Sequence, residues 1–331
     1  MANANGVHHS IQSIVILWDT HTTSSILRAL EPSPEYTIHV LARSTPKPSL
    51  AAKNAAYHVS DFSTASLSSH FETLKPDILI STSSGGAYDV SARIIDAAVA
   101  AGVPRFMPAE FGYDSLNGAV GERLPPSKER GRVIEYLREK SSSREDGGGG
   151  GGGGGRFGWC AVATGSELER GLLGGNLGVD LKWQSATLVG TGKEVFAASS
   201  DAWVGRVVKA VVERWGEVEE RYLYTAGMTV SAAEVVERLE KYGGKKFEVG
   251  YVEVEDVKRE AERRMDRGFP DAGMWLTERT VWCEEGVDAV RPYVEEDARQ
   301  TLGLEGESLD EIVREVLHKQ KHHGGRGCGC D

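Results

Sequence analysis

Residues 105–114 read RFMPAEFGYD, an apolar stretch that Pro108 and Gly112 break into a loop ending in a phenol and a carboxylate, Tyr113 and Asp114. At the mouth of a cleft those two side chains can touch a substrate, Tyr113 as a hydroxyl able to handle a proton. Glu110, on the same loop, suits a structural task, accepting backbone amides. A second polar run, WDTHTTSS at 18–25, leads into the helical pattern of residues 24–30. The amino end of a helix gathers unpaired amides and a partial positive charge, so it attracts anions. There the hydroxyls of Thr20, Thr22, Thr23 and Ser24 can donate to phosphate oxygens. His21 helps when protonated, and Asp19 opposes an anion. The same residue types also cap helices, so the run carries both readings.

The elements that must position these residues alternate. Residues 11–17, 36–41, 56–59, 77–82 and 103–107 read as strands. Residues 24–30, 66–74 and 88–102 read as helices, the last with Val90, Ile94, Ile95, Ala98 and Val99 at helical spacing and a closing glycine. This alternation predicts an α/β fold, a Rossmann-type doubly wound parallel sheet. Ligands of such sheets sit outside the carboxyl ends of the strands, which puts residues 108–114 beside a site. Further on, 129–140 reads as a helix, 159–163 as a strand and 201–212 as a helix with Trp203, Val204, Val207, Val208 and Val211 on one face. Residues 247–254 read as a strand and 257–265 as a charged helix. Ser231-Ala-Ala-Glu234 and Ser308-Leu-Asp-Glu311 are capping boxes that open two more helices.

The expected division is a disordered start (1–10), a dinucleotide-binding domain (11–165), a smaller C-terminal α/β substrate domain (166–320) and a disordered tail (321–331). Residues 201–230 are expected to return to the Rossmann core. The unbroken glycines 147–155 make 141–156 a flexible surface insertion, since such a run buries nothing and loses much entropy if ordered.

RFMPAEFG resembles the RFxPSEFG signature of the isoflavone reductase-like, NmrA-like family of atypical short-chain dehydrogenases, with Ala109 where serine is usual. Weaker blocks follow in order: Thr164-Gly165, Gly190-Thr-Gly192, DAWVGRVV at 201–208, then 231–239 and 244–249. The resemblance covers residues 13–254. The family's GxTGxxG nucleotide loop falls on Leu17, Thr20 and Thr23, so all three glycines are replaced, and side chains at Thr20 and Thr23 should push a pyrophosphate outward. The resemblance implies NADPH as cofactor. An arginine in the place of Arg43 faces the adenosine 2′-phosphate, which a guanidinium recognises bidentately. Lys47 is close enough to assist, and Thr82 and Ser83 of the TSSGG segment would lie along the cofactor beside Pro108.

The family's lysine in K-x-x-V-x-x-Y-L falls on Arg130 of RGRVIEYL. Arginine stays protonated, so it is a poor general acid or base, but it can stabilise an oxyanion or clamp a carboxylate. Lys128 is the nearest lysine. It points about 200° away from Arg130 around one helix axis, so it could take the role only if the helix begins after it, as Pro125 and Pro126 allow. Tyr136 and Lys140 look like the YxxxK pair of short-chain dehydrogenases but fall at the distal end of the helix. Asp114, Thr164 and Gly165 are expected on the substrate.

The chain has 331 residues and a net charge of −11, which argues against a nucleic-acid partner held by phosphate neutralisation. No run is apolar enough for a membrane span, and the first residues lack the form of a secretory signal. Four cysteines are too few and too poorly placed for a disulfide framework, and Cys160 and Cys283 read as buried thiols. The final HHGGRGCGCD lacks zinc-site spacing, so no metal is expected. These features, with the resemblance, point to a cytoplasmic monomer or homodimer acting on a small molecule. The activity implied is NADPH-dependent reduction of a small aromatic or polyketide-like metabolite, in fungal secondary metabolism. The lost glycines and lysine also fit a repurposed isomerase, dehydratase or cyclase, or an NmrA-like dinucleotide-binding regulator without catalysis.

Overall fold

The computed structural model describes residues 10–18, 20–45, 52, 54–82, 87–142 and 157–323. Asp19, Lys47, Ser83, the glycine run and the two ends of the chain lie outside these residues.

The strands, in chain order, are β1 (Ser13–Leu17), β2 (Thr37–Ala42), β3 (Ala55–Val59), β4 (Ile78–Ser81), β5 (Arg105–Met107), β6 (Gly158–Ala163), β7 (Ser166–Glu167), β8 (Val179–Asp180), β9 (Ser185–Val189), β10 (Val195–Ser199), β11 (Arg221–Tyr224), β12 (Met228–Ser231) and β13 (Glu248–Val252). Seven of them form one parallel sheet in the order β11-β6-β5-β4-β1-β2-β3. The order reverses between β1 and β4, where doubly wound sheets open a crevice for ligands.

Helices α1 (Thr20–Leu30), α2 (Thr64–Leu74), α3 (Tyr88–Ala100), α4 (Gly118–Arg123), α5 (Pro125–Ser142), α6 (Leu168–Gly174) and α7 (Asp201–Glu213) follow the strands. The sheet is covered on both faces, which is why its central strands are continuously apolar. In β1, Ile14 and Ile16 join a cluster with Ile26 and Leu27 of α1 and Trp203, Val207 and Val208 of α7. The alternate residues, Val15 and Leu17, join Phe71 of α2, Ile94 and Ile95 of α3 and Ile134 and Leu137 of α5. Helices α1 and α7 meet so closely that a Cβ at Gly205 would lie 2.4 Å from the Ser25 carbonyl oxygen.

Two boundaries that bear on the site differ from the sequence expectation. Helix α1 starts at Thr20, not residue 24, because packing on α7 outweighs the weak helix propensity of the threonines and serines. Helix α5 starts at Pro125, not residue 129. Proline is tolerated in a first turn, where its missing N–H has no partner to lose. Lys128 therefore sits inside the same helix as Arg130.

The remaining chain adds α8 (Trp215–Val218), α9 (Ala232–Gly243), α10 (Val254–Asp266), α11 (Pro270–Val281), α12 (Arg291–Glu295), α13 (Arg299–Leu302) and α14 (Leu309–His323). Two small sheets, β12-β10-β7 and β13-β9-β8, lie among them. Leu168 and Leu172 of α6, Phe196 of β10, Leu239 of α9 and Val313 and Val316 of α14 share a separate core. Ser231 and Glu234 cap α9 reciprocally, the box read from the sequence. Helices α10 and α11 pack as a pair, and Val281 of α11 joins Val120 and Leu124 around α4. Among the described residues no helix is long and apolar enough to cross a membrane, and no cluster of ligand side chains could hold a metal.

Candidate active site

The loop after β5 is fixed from below by tyrosines that the sequence did not single out. The Tyr222 hydroxyl donates to Glu110 Oε1 at 2.7 Å and accepts from the Ser115 amide at 3.0 Å. The Tyr293 hydroxyl donates to the Gly112 carbonyl at 3.0 Å, which also accepts from the Thr164 and Gly165 amides. Glu110 is buried and accepts a phenol, not the backbone amides expected of it. Burial pushes its carboxyl up to about 7, against the pull of the Arg130 guanidinium.

On the nucleotide side, the three replaced glycine positions behave differently. Leu17 is wholly buried in the core as the last residue of β1. Thr20 opens α1, whose first turn holds no acidic residue. Thr23 is also buried, and its hydroxyl lies 2.7 Å from that of Thr82, which donates to the Leu17 carbonyl at 2.6 Å. This pair sits at the β1–β4 reversal and holds α1 against the sheet. Thr23, expected to offer its hydroxyl to a phosphate, and Thr82, expected to lie along the cofactor, are both buried, with their hydroxyls bonded within the fold. Thr22 is half-buried and Arg43 exposed. Arg43 lies at the end of β2, 5.1 Å from the Phe62 ring, with a 3.4 Å bond to the Asp61 carbonyl. Lys47 and Ser83, the other expected cofactor contacts, lie outside the described residues.

Arg130 occupies the junction of two hollows. One is a narrow crevice at the strand ends, lined by Ser81, Phe106, Pro108, Ala109 and Glu110 from the sheet side and by Tyr88, Ser91 and Val133 from the helices. The other is a cavity of about 290 Å³ between the signature loop, α6 and α11. The Arg130 Nη2 donates to Ser127 Oγ at 2.9 Å and its Nε lies 3.6 Å from Glu110 Oε2. Nε is buried without a hydrogen-bond partner among the described residues.

The cavity wall includes Phe111, Tyr113, Gly165, Ser166, Glu167, Arg170, Trp275, Glu278 and Trp282. Trp282 stacks between Phe196 and Tyr113, with ring centroids 4.6 and 6.5 Å away. Burial, with the nearby Glu278 carboxylate, raises the Tyr113 phenol well above its ordinary range, so it stays a hydroxyl donor at neutral pH. Gly165 has φ +76, and a Cβ there would lie 2.5 Å from the Ala197 carbonyl oxygen, so no other residue fits without backbone movement.

The structure thus gathers Tyr113, Arg130 and Gly165 around one cavity and places Pro108 on the adjoining crevice. Three expected site residues fall elsewhere. Lys128 is exposed and lines neither hollow, since α5 already includes it. Asp114 is buried, accepting from the Leu116 amide at 2.9 Å and from Tyr224, and does not line the cavity. Thr164 is buried too, its carbonyl accepting from Ser199. Tyr136 and Lys140 both bind Asp96 of α3, at 2.6 and 2.8 Å, a helix-to-helix clasp remote from the cavity wall. Glu278, Trp275 and Trp282 were missed. Their spacing of three and four along one amphipathic helix was visible, but nothing local marked that face as a cavity wall.

No family model matches the chain. The oxidoreductase aprR of Aspergillus flavus is 31% identical over 313 residues, spanning 93% of this chain and 99% of that protein. Leucoanthocyanidin reductase of Vitis vinifera, solved as a binary complex with NADPH, superposes with a TM-score of 0.69 at 14% identity, over 92% of this chain and 99% of its own. An isoflavone reductase superposes with a TM-score of 0.68 at 18% identity and equal coverage. The fungal relative spans nearly the whole chain at that identity, and the solved neighbours share the fold. The chain therefore belongs to the isoflavone reductase-like, NmrA-like family of oxidoreductases.

Proposed function

We propose that this protein is an NADPH-dependent reductase of a small aromatic or polyketide-like carbonyl compound. The observation that carries the reading is Arg130: a buried guanidinium nitrogen with no hydrogen-bond partner among the described residues, shared between the strand-end crevice and an aromatic-walled cavity. An unpaired buried donor costs about 1–3 kcal/mol, and a ligand oxygen at that place would satisfy it.

The residues present suit the cofactor at its phosphates. The first turn of α1 offers amides and no acidic side chain, and Arg43 stands exposed at the end of β2 for a 2′-phosphate. When bound, NADPH supplies the hydride. Arg130 would hold the substrate oxygen and stabilise the negative charge that grows on it. The Tyr113 hydroxyl would orient the same group, and Trp275 and Trp282 would enclose a flat ring. A reading without redox chemistry draws on the replaced glycines, since Leu17, Thr20 and Thr23 stand where the family's nucleotide loop carries no side chain.

Titration of NADPH and NADH against tryptophan fluorescence, checked by calorimetry, separates the two. Half-buried Trp18, beside the start of α1, is a built-in reporter. We expect NADPH to bind about tenfold tighter than NADH, with the preference gone in Arg43→Ala. Failure of both cofactors to bind at millimolar concentration would remove the reductase reading and favour the non-redox one.

A further inference from the structure

Glu278 belongs to no motif of the chain. Helix α11 turns Trp275, Glu278 and Arg279 toward the cavity, continued by Trp282, a spacing of three, four and seven that keeps them on one face. Arg279 is spent on the Thr187 carbonyl, and Trp282 is stacked on Phe196. The Glu278 carboxyl has no hydrogen bond among the described residues.

Its charged and titratable neighbours come from every wall. Tyr113 stands on the signature loop, Glu167 on β7, Arg170 on α6 and Arg130 on α5. Arg170 is engaged by Glu167 at 2.5 Å, and Arg130 is turned toward Ser127 and Glu110. Neither cation closes an ion pair with Glu278. Burial, helped by Glu167, pushes the Glu278 carboxyl up to about 7 against the pull of Arg130 and Arg170. A carboxylic acid on a cavity wall that keeps its proton near neutrality is fit for general acid work.

We propose that Glu278 is the catalytic acid of this site, delivering a proton to the substrate oxygen that Arg130 polarises. The assignment rests on the reductase reading above. It supplies what Arg130 lacks, because a guanidinium cannot give up its proton. In the step, the substrate carbonyl carbon gains a hydride from NADPH and the carbonyl π pair moves to oxygen. That oxygen takes the proton as the Glu278 O–H bond breaks. The carbonyl is reduced to an alcohol, NADPH is oxidised to NADP⁺, and the carboxylate regains its proton from cavity water.

The test uses the full chain and two readouts. In the protein without ligands, infrared difference titration of wild type against Glu278→Gln should isolate a carboxyl band that ionises at about 7. With isatin, a flat aromatic ketone, as the probe substrate, turnover should be level below that pH and fall above it, since the acid must be protonated. Glu278→Gln should lower turnover about 100-fold or more and abolish that limb, with NADPH affinity unchanged. Glu278→Asp should restore the limb at a reduced rate. A Glu278 carboxyl already ionised at pH about 5 would overturn the assignment. So would a Glu278→Gln variant that keeps the wild-type rate and profile, in which case the reductase reading stands without it. Wild-type protein that binds no NADPH removes the reductase reading itself, and the acid role falls with it.

Discussion

The two ends of the crevice treat their polar side chains in opposite ways. At the nucleotide end, Thr23 and Thr82 are buried and bond to each other and to β1, so their hydroxyls serve the fold. At the cavity end, among the described residues, Arg130 keeps a buried Nε without a hydrogen bond, 3.6 Å from Glu110 Oε2, and the half-buried Glu278 keeps a carboxyl without one. A fold gains nothing from an unpaired buried group. The difference separates side chains that hold the scaffold from side chains kept for a ligand.

The strongest way to break that comparison is Arg130→Met. Removing a guanidinium whose Nε has no hydrogen bond inside the fold should lower turnover with isatin about 100- to 1,000-fold. Stability near pH 6 should change little, because Glu110 is largely neutral there, its carboxyl lying at about 7. Loss of Arg130 would push that carboxyl further up, not strand it as a charge. Steady-state kinetics and a melting curve read both effects. A variant that melts far earlier but turns over normally would make Arg130 a scaffold residue and erase the contrast.

What the sequence made legible follows the range of the interactions involved. The apolar runs of β1, β4 and β6 are local, as are the apolar face of α7 and the Ser231–Glu234 box, and each was readable in a few residues. The position of the signature loop followed from strand order alone. The supports of that loop did not, because Tyr222 and Tyr293 lie 107 to 181 residues from their partners and no local pattern announces them. The start of α5 was misread although its signal was present: Pro125 and Pro126 mark a first turn as readily as they mark a break. Glu278 illustrates the harder limit. Its helix is marked by ordinary amphipathicity, and only the packing of α10, α11 and α4 turns that face into a wall.

The nucleotide end yields a smaller effect with the opposite signature. Thr23→Val keeps the shape and removes the hydroxyl beside Thr82. We expect a loss of about 1–2 kcal/mol in stability by denaturant titration. NADPH affinity should stay within about twofold, a difference of about 0.4 kcal/mol. If stability held and affinity collapsed, the hydroxyl would be aimed at a phosphate after all. The pair would then belong with Arg130 and Glu278 on the ligand side of the division.

The smallest effect expected is at the YxxxK look-alike. Lys140 and Asp96 are 28% and 51% exposed, and the pair joins α5 to α3 on the outer surface. Exposed ion pairs contribute about 0–1 kcal/mol, and neither partner lines the cavity or the strand-end crevice. Lys140→Met should therefore cost less than about 1 kcal/mol, with the loss fading in high salt, and leave turnover and its pH profile where they were. Tyr136, bonded to the same carboxylate at 2.6 Å, should be as silent when changed to Phe. A real loss of turnover in Lys140→Met at unchanged stability would mean that the spacing of a tyrosine and a lysine had outweighed their placement. The rule drawn from the two ends of the crevice, that partners satisfied inside the fold are not the chemistry, would then fail at its easiest case.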